Sequence, residues 1–368
     1  MVSWCDQWLI RRMMQPQNFQ KFTSSGGSLV FRLPLEAFPK FWVYTYLVKN
    51  EDTWLLVDTG SGSEMSNNGL LEGFARVSSE IGEEIKIGDL STILLTHGHI
   101  DHMGGVIFLK EHSKARIGVH ELDMQTISHH EERLMIISLH LNHYLCEAGV
   151  PEEDRSQLLQ LHKFTKAFFH SVPVDFTYEN EGMQFGKFSM LHLPGHCPGQ
   201  VAIKLDDVIF CGDHILSSIT PHLAPERLIP YSGLGHYLES LERLNRWAVG
   251  YKLILPGHDL PIDDLNSRSD EIRRSIQSRL NQCLEFLNDS HSISELTQHI
   301  YGNIAGYNSL LVLEKTGAYV EYLYQHGMLE ITNLDELEES KLTALQYRRV
   351  NEMTNSFNLP KEKAYVLI

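Results

Sequence analysis

The strongest constraint on this chain is how its short apolar runs end. Ile93, Leu94 and Leu95 pass directly into Thr96-His97-Gly98-His99-Ile100-Asp101-His102-Met103-Gly104-Gly105. Three later runs stop in the same manner, at His196 in LPGHCPG, Asp213 in VIFCGDH and His258 in LILPGHD. Runs of β-branched and aliphatic residues closed by turn residues read as strands. Loop side chains diverge into one space instead of alternating across a sheet, so strands that finish in this way point polar groups at a common cavity. One loop histidine is usually an ordinary satisfied polar residue. Seven ligand-type residues, each ending a strand, are not explained so simply.

The apolar pattern changes character along the sequence, which divides it into zones. From Leu29 to about Ile117, SLVFRLPL, FWVYTYLV, TWLLVDTG and STILLTHGH read as strands. From about Glu121 to Phe169, Leu134, Ile137, Leu141 and Leu145 fall at helical spacing; Pro151 breaks the run, and Leu158, Leu159, Leu161 and Phe164 follow, so an inserted helical hairpin is expected. Strand texture returns in FSMLHLPGH, VAIKLDDVIFCGDH and YKLILPGHD, the last preceded by an amphipathic segment from Tyr237 to Trp247. After Ile262 the text is helical, with Ile272, Ile276, Leu280, Cys283, Leu284 and Leu287 on one face. Ser294 reads as an N-cap with Glu295 in the first turn, and Gly327 as a helix stop. A length of 368 residues suits one large domain and a smaller one. The expected organisation is an α/β domain over residues 20–262, with its insertion at about 121–169, and a mainly helical domain over 263–368.

Imidazole and carboxylate are the usual ligands of first-row divalent ions. The order of these residues resembles the metallo-β-lactamase superfamily, in particular its glyoxalase II-like hydrolase branch, over about Leu29 to Ile262. The resemblance implies a four-layer αββα sandwich with its site at one edge. It also implies that His97, His99 and His196 hold one metal ion, that Asp101, His102 and His258 hold a second, and that Asp213 bridges both. Asp58 in LLVDTG matches a position that supports the histidines without binding metal. Two divalent ions, zinc first with iron or manganese also compatible, would lower the pKa of a shared water from about 15.7 towards 7. The expected reaction is hydrolysis of a small ester, thioester or lactone, with Asp101 or Asp213 receiving the proton.

Candidates for substrate contact are His214, His222 in ITPH, Tyr231 and Tyr237. GDHIL…ITPH resembles a subset of these hydrolases that carry a helical insertion and a winged-helix-like C-terminal domain. The insertion is expected to cover the site, with Met124, Met135, Phe168 and Phe169 lining an apolar pocket. Its histidines, His129, His130, His140 and His143, lack the completing ligands of another metal site.

A formal charge of −16 disfavours a broad nucleic-acid footprint. Phosphodiester cleavage nevertheless stands as the rival chemistry, because Arg268, Arg273, Arg274, Arg279, Arg348, Arg349, Lys361 and Lys363 flank the C-terminal region. A non-catalytic nucleic-acid-binding protein is the rival of another class, but it would be expected to have lost ligands. Oxygen chemistry on iron also occurs in this fold; the diiron branch typically carries glutamate where this chain has His99. The C-terminal domain offers a surface for self-association or a wall for the pocket. The five cysteines, Cys5, Cys146, Cys197, Cys211 and Cys283, form no C-x-x-C pair and read as reduced, mostly buried thiols. In Met1–Met14 the two arginines follow the apolar stretch, so no export signal is expected and the cytoplasm is the default location.

Overall fold

The structure is a computed structural model that describes residues 18–339, 343–350 and 357–359. Met1–Met14 with Cys5, and Lys361 and Lys363, lie outside the described residues. The chain opens with β1 (Gln20–Thr23), β2 (Leu29–Phe38), β3 (Phe41–Asn50), β4 (Thr53–Val57), helix α1 (Glu64–Ile81) and β5 (Leu90–Leu94). Next come α2 (Ile100–Met103), α3 (Val106–His112), β6 (Arg116–Val119), α4 (Glu121–Ser128), α5 (His130–Glu147) and α6 (Glu152–Phe164). The second half holds β7 (Phe176–Thr177), β8 (Gln184–Phe185), β9 (Phe188–His192), β10 (Val201–Leu205), β11 (Val208–Gly212), α7 (Leu234–Trp247) and β12 (Leu253–Pro256). It closes with α8 (Leu265–Phe286), α9 (Ile293–Tyr301), α10 (Tyr307–Gln325), β13 (Leu329–Ile331), α11 (Leu334–Glu339) and β14 (Tyr347–Arg349).

Strands β1 to β7 form one sheet in sequence order, antiparallel through β4 and parallel from β4 to β7. Strands β12, β11, β10, β9 and β8 form a second sheet. Side-chain alternation assigns each face a layer. On β4, Leu55 and Val57 face the other sheet, meeting Met190, Ile203, Phe210 and Leu255 in a shared core. Trp54 and Leu56 face the opposite way, into a layer with Leu70, Phe74 and Val77 of α1. On the second sheet, Ala202, Ile209, Cys211 and Ile254 face a third core, which also holds Leu241 of α7, Ile276 of α8 and Leu323 of α10. This is the expected αββα sandwich.

Several elements depart from the sequence reading. Helix α1 lies within the zone read as strands: Ser63 caps it by accepting from Ser66 N, and Gly82 closes it at φ +73°. The insertion holds three helices, because the chain turns at His129 (φ −137°, ψ 47°) and sets α4 apart from α5. Helix α9 is capped by Ser292, not Ser294; the Ser292 hydroxyl accepts from Glu295 N while the Glu295 carboxylate accepts from Ser292 N, a reciprocal capping box. Gly327 follows α10 at φ +70°, as the stop signal requires. The four described cysteines are buried and free.

Candidate metal centre

The loop after β5 is held from beneath by Asp58. This residue takes a left-handed backbone (φ +59°), unusual for a side chain with a Cβ. The turn aims its carboxylate at three donors: Thr96 N at 2.8 Å, Thr96 Oγ1 at 2.7 Å and His102 Nδ1 at 2.9 Å. His97 Nδ1 lies 3.1 Å from Thr96 Oγ1, so the same carboxylate orients His97 through the threonine. Gly104 and Gly105 pack on the backbone of the Asp58 loop, where a Cβ would fall 2.1 Å from Ser61 O and 2.2 Å from Thr59 O respectively.

Two further ligand-type histidines are oriented by backbone carbonyls. His196 Nδ1 donates to His222 O at 2.7 Å, and His258 Nδ1 donates to Trp42 O at 2.7 Å. The His258 turn is pinned by Tyr44 N donating to Gly257 O at 2.8 Å, by Tyr46 Oη on Pro256 O, and by the fully buried Arg32 on Asp259 O. Gly257 is required here, since a Cβ would lie 2.4 Å from His102 Cε1 and 2.5 Å from Asp213 Oδ1. Four imidazoles thus have Nδ1 engaged and Nε2 left as the inward donor, the arrangement that fixes a ligand tautomer.

All seven residues converge. His97, His99 and His196 form one set with potential ligand atoms within 4.8 Å of one another; Asp101, His102 and His258 form another, and Asp213 joins a third with His97 and His102. Asp213 lies between the sets, with carboxylate oxygens 3.3 Å from His102 Nε2, 3.3 Å from His258 Nε2 and 3.7 Å from His196 Nε2. His97 Nε2 and His196 Nε2 are buried without a hydrogen-bond partner, a costly state unless the lone pair serves a cation. The donor set and these orphaned nitrogens fit divalent metal ions.

The protein charges alone make the same demand. Burial, then neighbouring imidazoles, holds His97 and His99 well below the usual histidine range, and burial brings His196 to about 4. At His102, burial is outweighed by Asp213, Asp101 and Asp58, and the ring is pushed well up. At His258, burial is likewise outweighed by Asp213 and Asp101, and the value rises to about 10. Burial opposes ionisation of Asp101, but His102 and His258 bring it down to about 2. The buried carboxylates therefore require positive charge, which protons on His102 and His258 supply and which cations would replace.

Residues 41–258, more than half of the chain, match the pattern that defines the metallo-β-lactamase superfamily. The chain belongs to the metallo-β-lactamase superfamily. A probable metallo-hydrolase, YqjP of Bacillus subtilis, is 26% identical over 257 residues, covering 64% of this chain and 76% of the relative. A hydroxyacylglutathione hydrolase of Shewanella baltica is 28% identical over 125 residues, about a third of either chain (34% of each). Among solved structures, the metallo-β-lactamase family protein TTHA1429 of Thermus thermophilus superposes with a TM-score of 0.67 at 25% identity, covering 87% of this chain and 98% of that one. Superfamily membership and the converged ligands make this chain a hydrolase with a centre for divalent metal.

The substrate-facing candidates occupy different surroundings within the metallo-β-lactamase fold. His214 is buried against Tyr237, ring centroids 5.2 Å apart, and burial lowers its imidazole to about 3. Tyr231 is half exposed beside His236 and lines a cavity of about 420 Å³ with His120, His192 and Arg243, a cavity bordered by none of the seven ligands. His222 turns its side chain away to Glu314, Nε2 to Oε2 at 2.9 Å, while its carbonyl serves His196. The four apolar residues expected to line a pocket do not share one. Met124 and Phe169 pack into the layer that holds the inner face of α1, whereas Met135 on α5 and Phe168 beyond α6 are exposed.

Two residues escaped the sequence reading. Asp123, buried on α4, joins the two ligand loops: it accepts from Gly98 N at 2.7 Å, Gly199 N at 2.9 Å and Cys197 Sγ at 3.2 Å. No local signal marks it, since an aspartate in a first helical turn is ordinarily a dipole partner. Lys166, just beyond α6, interacts electrostatically with His99, Cys197 and Glu314, and burial lowers its ammonium below the usual lysine range.

Proposed function

We propose that the chain is a binuclear metal-dependent hydrolase that cleaves an ester, thioester or lactone bond in a small substrate. The observation that carries this reading is the position of Asp213, shared between a three-histidine set and an Asp-His-His set. His97, His99 and His196 would hold one ion, Asp101, His102 and His258 the other, with Asp213 common to both. When bound, two such ions supply a water acidic enough to act as the nucleophile at neutral pH, together with Lewis-acid polarisation of the scissile carbonyl. The protein residues do the rest. Asp58 and the carbonyls of Trp42 and His222 keep four imidazoles aimed inward, and Asp101 or Asp213 would accept the proton released during turnover. Lys166, which interacts electrostatically with His99, would suit a substrate bearing an anionic substituent or a carbonyl that gains negative charge in the transition state. Zinc fits the donor set best, with iron or manganese as alternatives. The buried, free thiols suit a reducing compartment such as the cytoplasm.

The arrangement of the C-terminal arginines argues against phosphodiester cleavage of long nucleic acids. Arg273 pairs with Glu242 at 2.6 Å and Arg348 with Glu330 at 2.8 Å, while Arg268 is bonded to Glu271 and to the carbonyls of Leu216 and Ile219. Guanidinium groups used in this way offer little to a phosphate backbone. The test is a panel of chromogenic thioester, lactone, phosphodiester and β-lactam substrates, assayed on protein loaded with defined metals. Turnover confined to the carbonyl esters is the expected result; turnover of the phosphodiester alone overturns the reading.

A further inference from the structure

The segment between Asp213 and α7 carries the carbonyl that orients His196, yet it has little regular structure of its own. It is held by the C-terminal helices. Arg268 of α8 donates to Leu216 O at 2.6 Å and to Ile219 O at 2.8 Å. Helix α10 grips it at three successive points: Lys315 Nζ donates to Thr220 Oγ1 at 2.7 Å, Glu314 accepts from His222 Nε2 at 2.9 Å, and Glu321 accepts from Glu226 N at 2.6 Å and Arg227 N at 3.0 Å. Only the middle grip falls on the residue that touches a ligand. Glu314 is itself buried, although carboxylates are rarely buried without a specific partner.

The geometry points to Glu314 as a positioning residue for the metal centre, acting through the His222 side chain and the His222 carbonyl to fix the ring of His196. This inference rests on the binuclear reading and extends it: the C-terminal helical region forms part of the metal site. A ring whose Nδ1 partner wanders loses its fixed orientation, and removing such an outer partner typically costs roughly 10- to 100-fold in metal affinity. His222 Nε2 can also donate to an amide oxygen, so Glu314→Gln should keep the link that Glu314→Ala breaks.

The test is zinc affinity measured on the full chain by competition with a chromophoric chelator, together with the absorption spectrum of the cobalt-loaded protein and the Tm of the metal-free protein. Glu314→Ala and His222→Ala should each weaken one of the two ions by roughly 10- to 100-fold. Both should alter the cobalt spectrum; Glu314→Ala should leave the metal-free Tm close to that of the parent, whereas His222→Ala, which leaves the buried Glu314 carboxylate unpaired, should lower it. Glu314→Gln should restore parental affinity, and the double variant should be no worse than either single one, because both break the same link. Parental affinity in Glu314→Ala, additive losses in the double variant, or a loss that Glu314→Gln fails to restore would overturn the inference. If Glu314→Ala does not fold, His222→Ala decides by the same readings. A parent chain that binds fewer than two ions sinks the binuclear reading instead; the comparison of Glu314→Ala with the parent for the remaining ion still decides this one.

Discussion

At the residue scale, the centre is a problem of unbalanced buried charge. Asp58, Asp101 and Asp213 gather around imidazoles, and only added positive charge offsets them. Asp213→Ala removes the carboxylate proposed to be shared by both ions, so turnover and metal content should both fall by at least about 100-fold while far-ultraviolet circular dichroism stays unchanged. Retention of two ions in that variant would contradict the proposed sharing. The proton on His258, held to about 10, must leave before a cation can bind. The one on His102, likewise pushed up by the surrounding carboxylates, must also leave. Because the folded values of both rings are raised, protons compete more strongly as pH falls. Metal affinity should therefore rise with pH by about tenfold per unit for each displaced proton, the His258 contribution ending once that ring deprotonates unaided near pH 10. Titration calorimetry in buffers of different ionisation enthalpy counts the protons released; a count of zero would show that these rings are already neutral.

At the element scale, what distinguishes the site is how its loops are fastened to one another. The Thr96–His99 and His196–Gly199 loops come from strands of different sheets, and the carboxylate of Asp123 on the short helix α4 spans them. Asp123→Ala leaves two buried backbone N–H groups without an acceptor, a loss of about 2–4 kcal/mol in unfolding free energy by urea titration, with weaker metal binding as its companion. A variant of parental stability would mean that water replaces the carboxylate at no cost. Gly257→Ala tests the opposite face. Its added methyl would intrude on His102 and Asp213, so metal content should drop by at least about 10-fold, as for loss of an orienting partner, with little change in helix content. The strands, the amphipathic α7 and the residues ending each strand are legible because period-two and period-3.6 patterns are local properties. The split of α4 from α5 is not, because the turn at His129 has no proline or glycine to mark it.

At the scale of the whole molecule, the C-terminal helices share one hydrophobic core with the outer face of the second sheet. Ile272, Ile276 and Leu280 of α8 and Leu310, Leu313 and Leu323 of α10 pack in the same cluster as Leu241, Ile209 and Ile254. A fragment ending at Asp263 would expose that face, so it should be insoluble or bind hydrophobic dyes when expressed alone; a soluble fragment with the parent's metal content would show the region to be an independent domain. The sequence by itself determined which seven ligand-type residues end the strands and the glycine turns beside them, because residue chemistry and side-chain periodicity are written in neighbouring residues, and the sandwich class followed from the family resemblance. It also placed Asp58, through the resemblance of LLVDTG, and Asp58 proves to hold Thr96 and His102. Only the tertiary structure decided what holds those ligands still. Asp123 lies 74 residues from Cys197, Glu314 lies 92 residues from His222, and His222 lies 26 residues from His196. Contacts at such separations depend on how the layers stack, and no local pattern of residues encodes them.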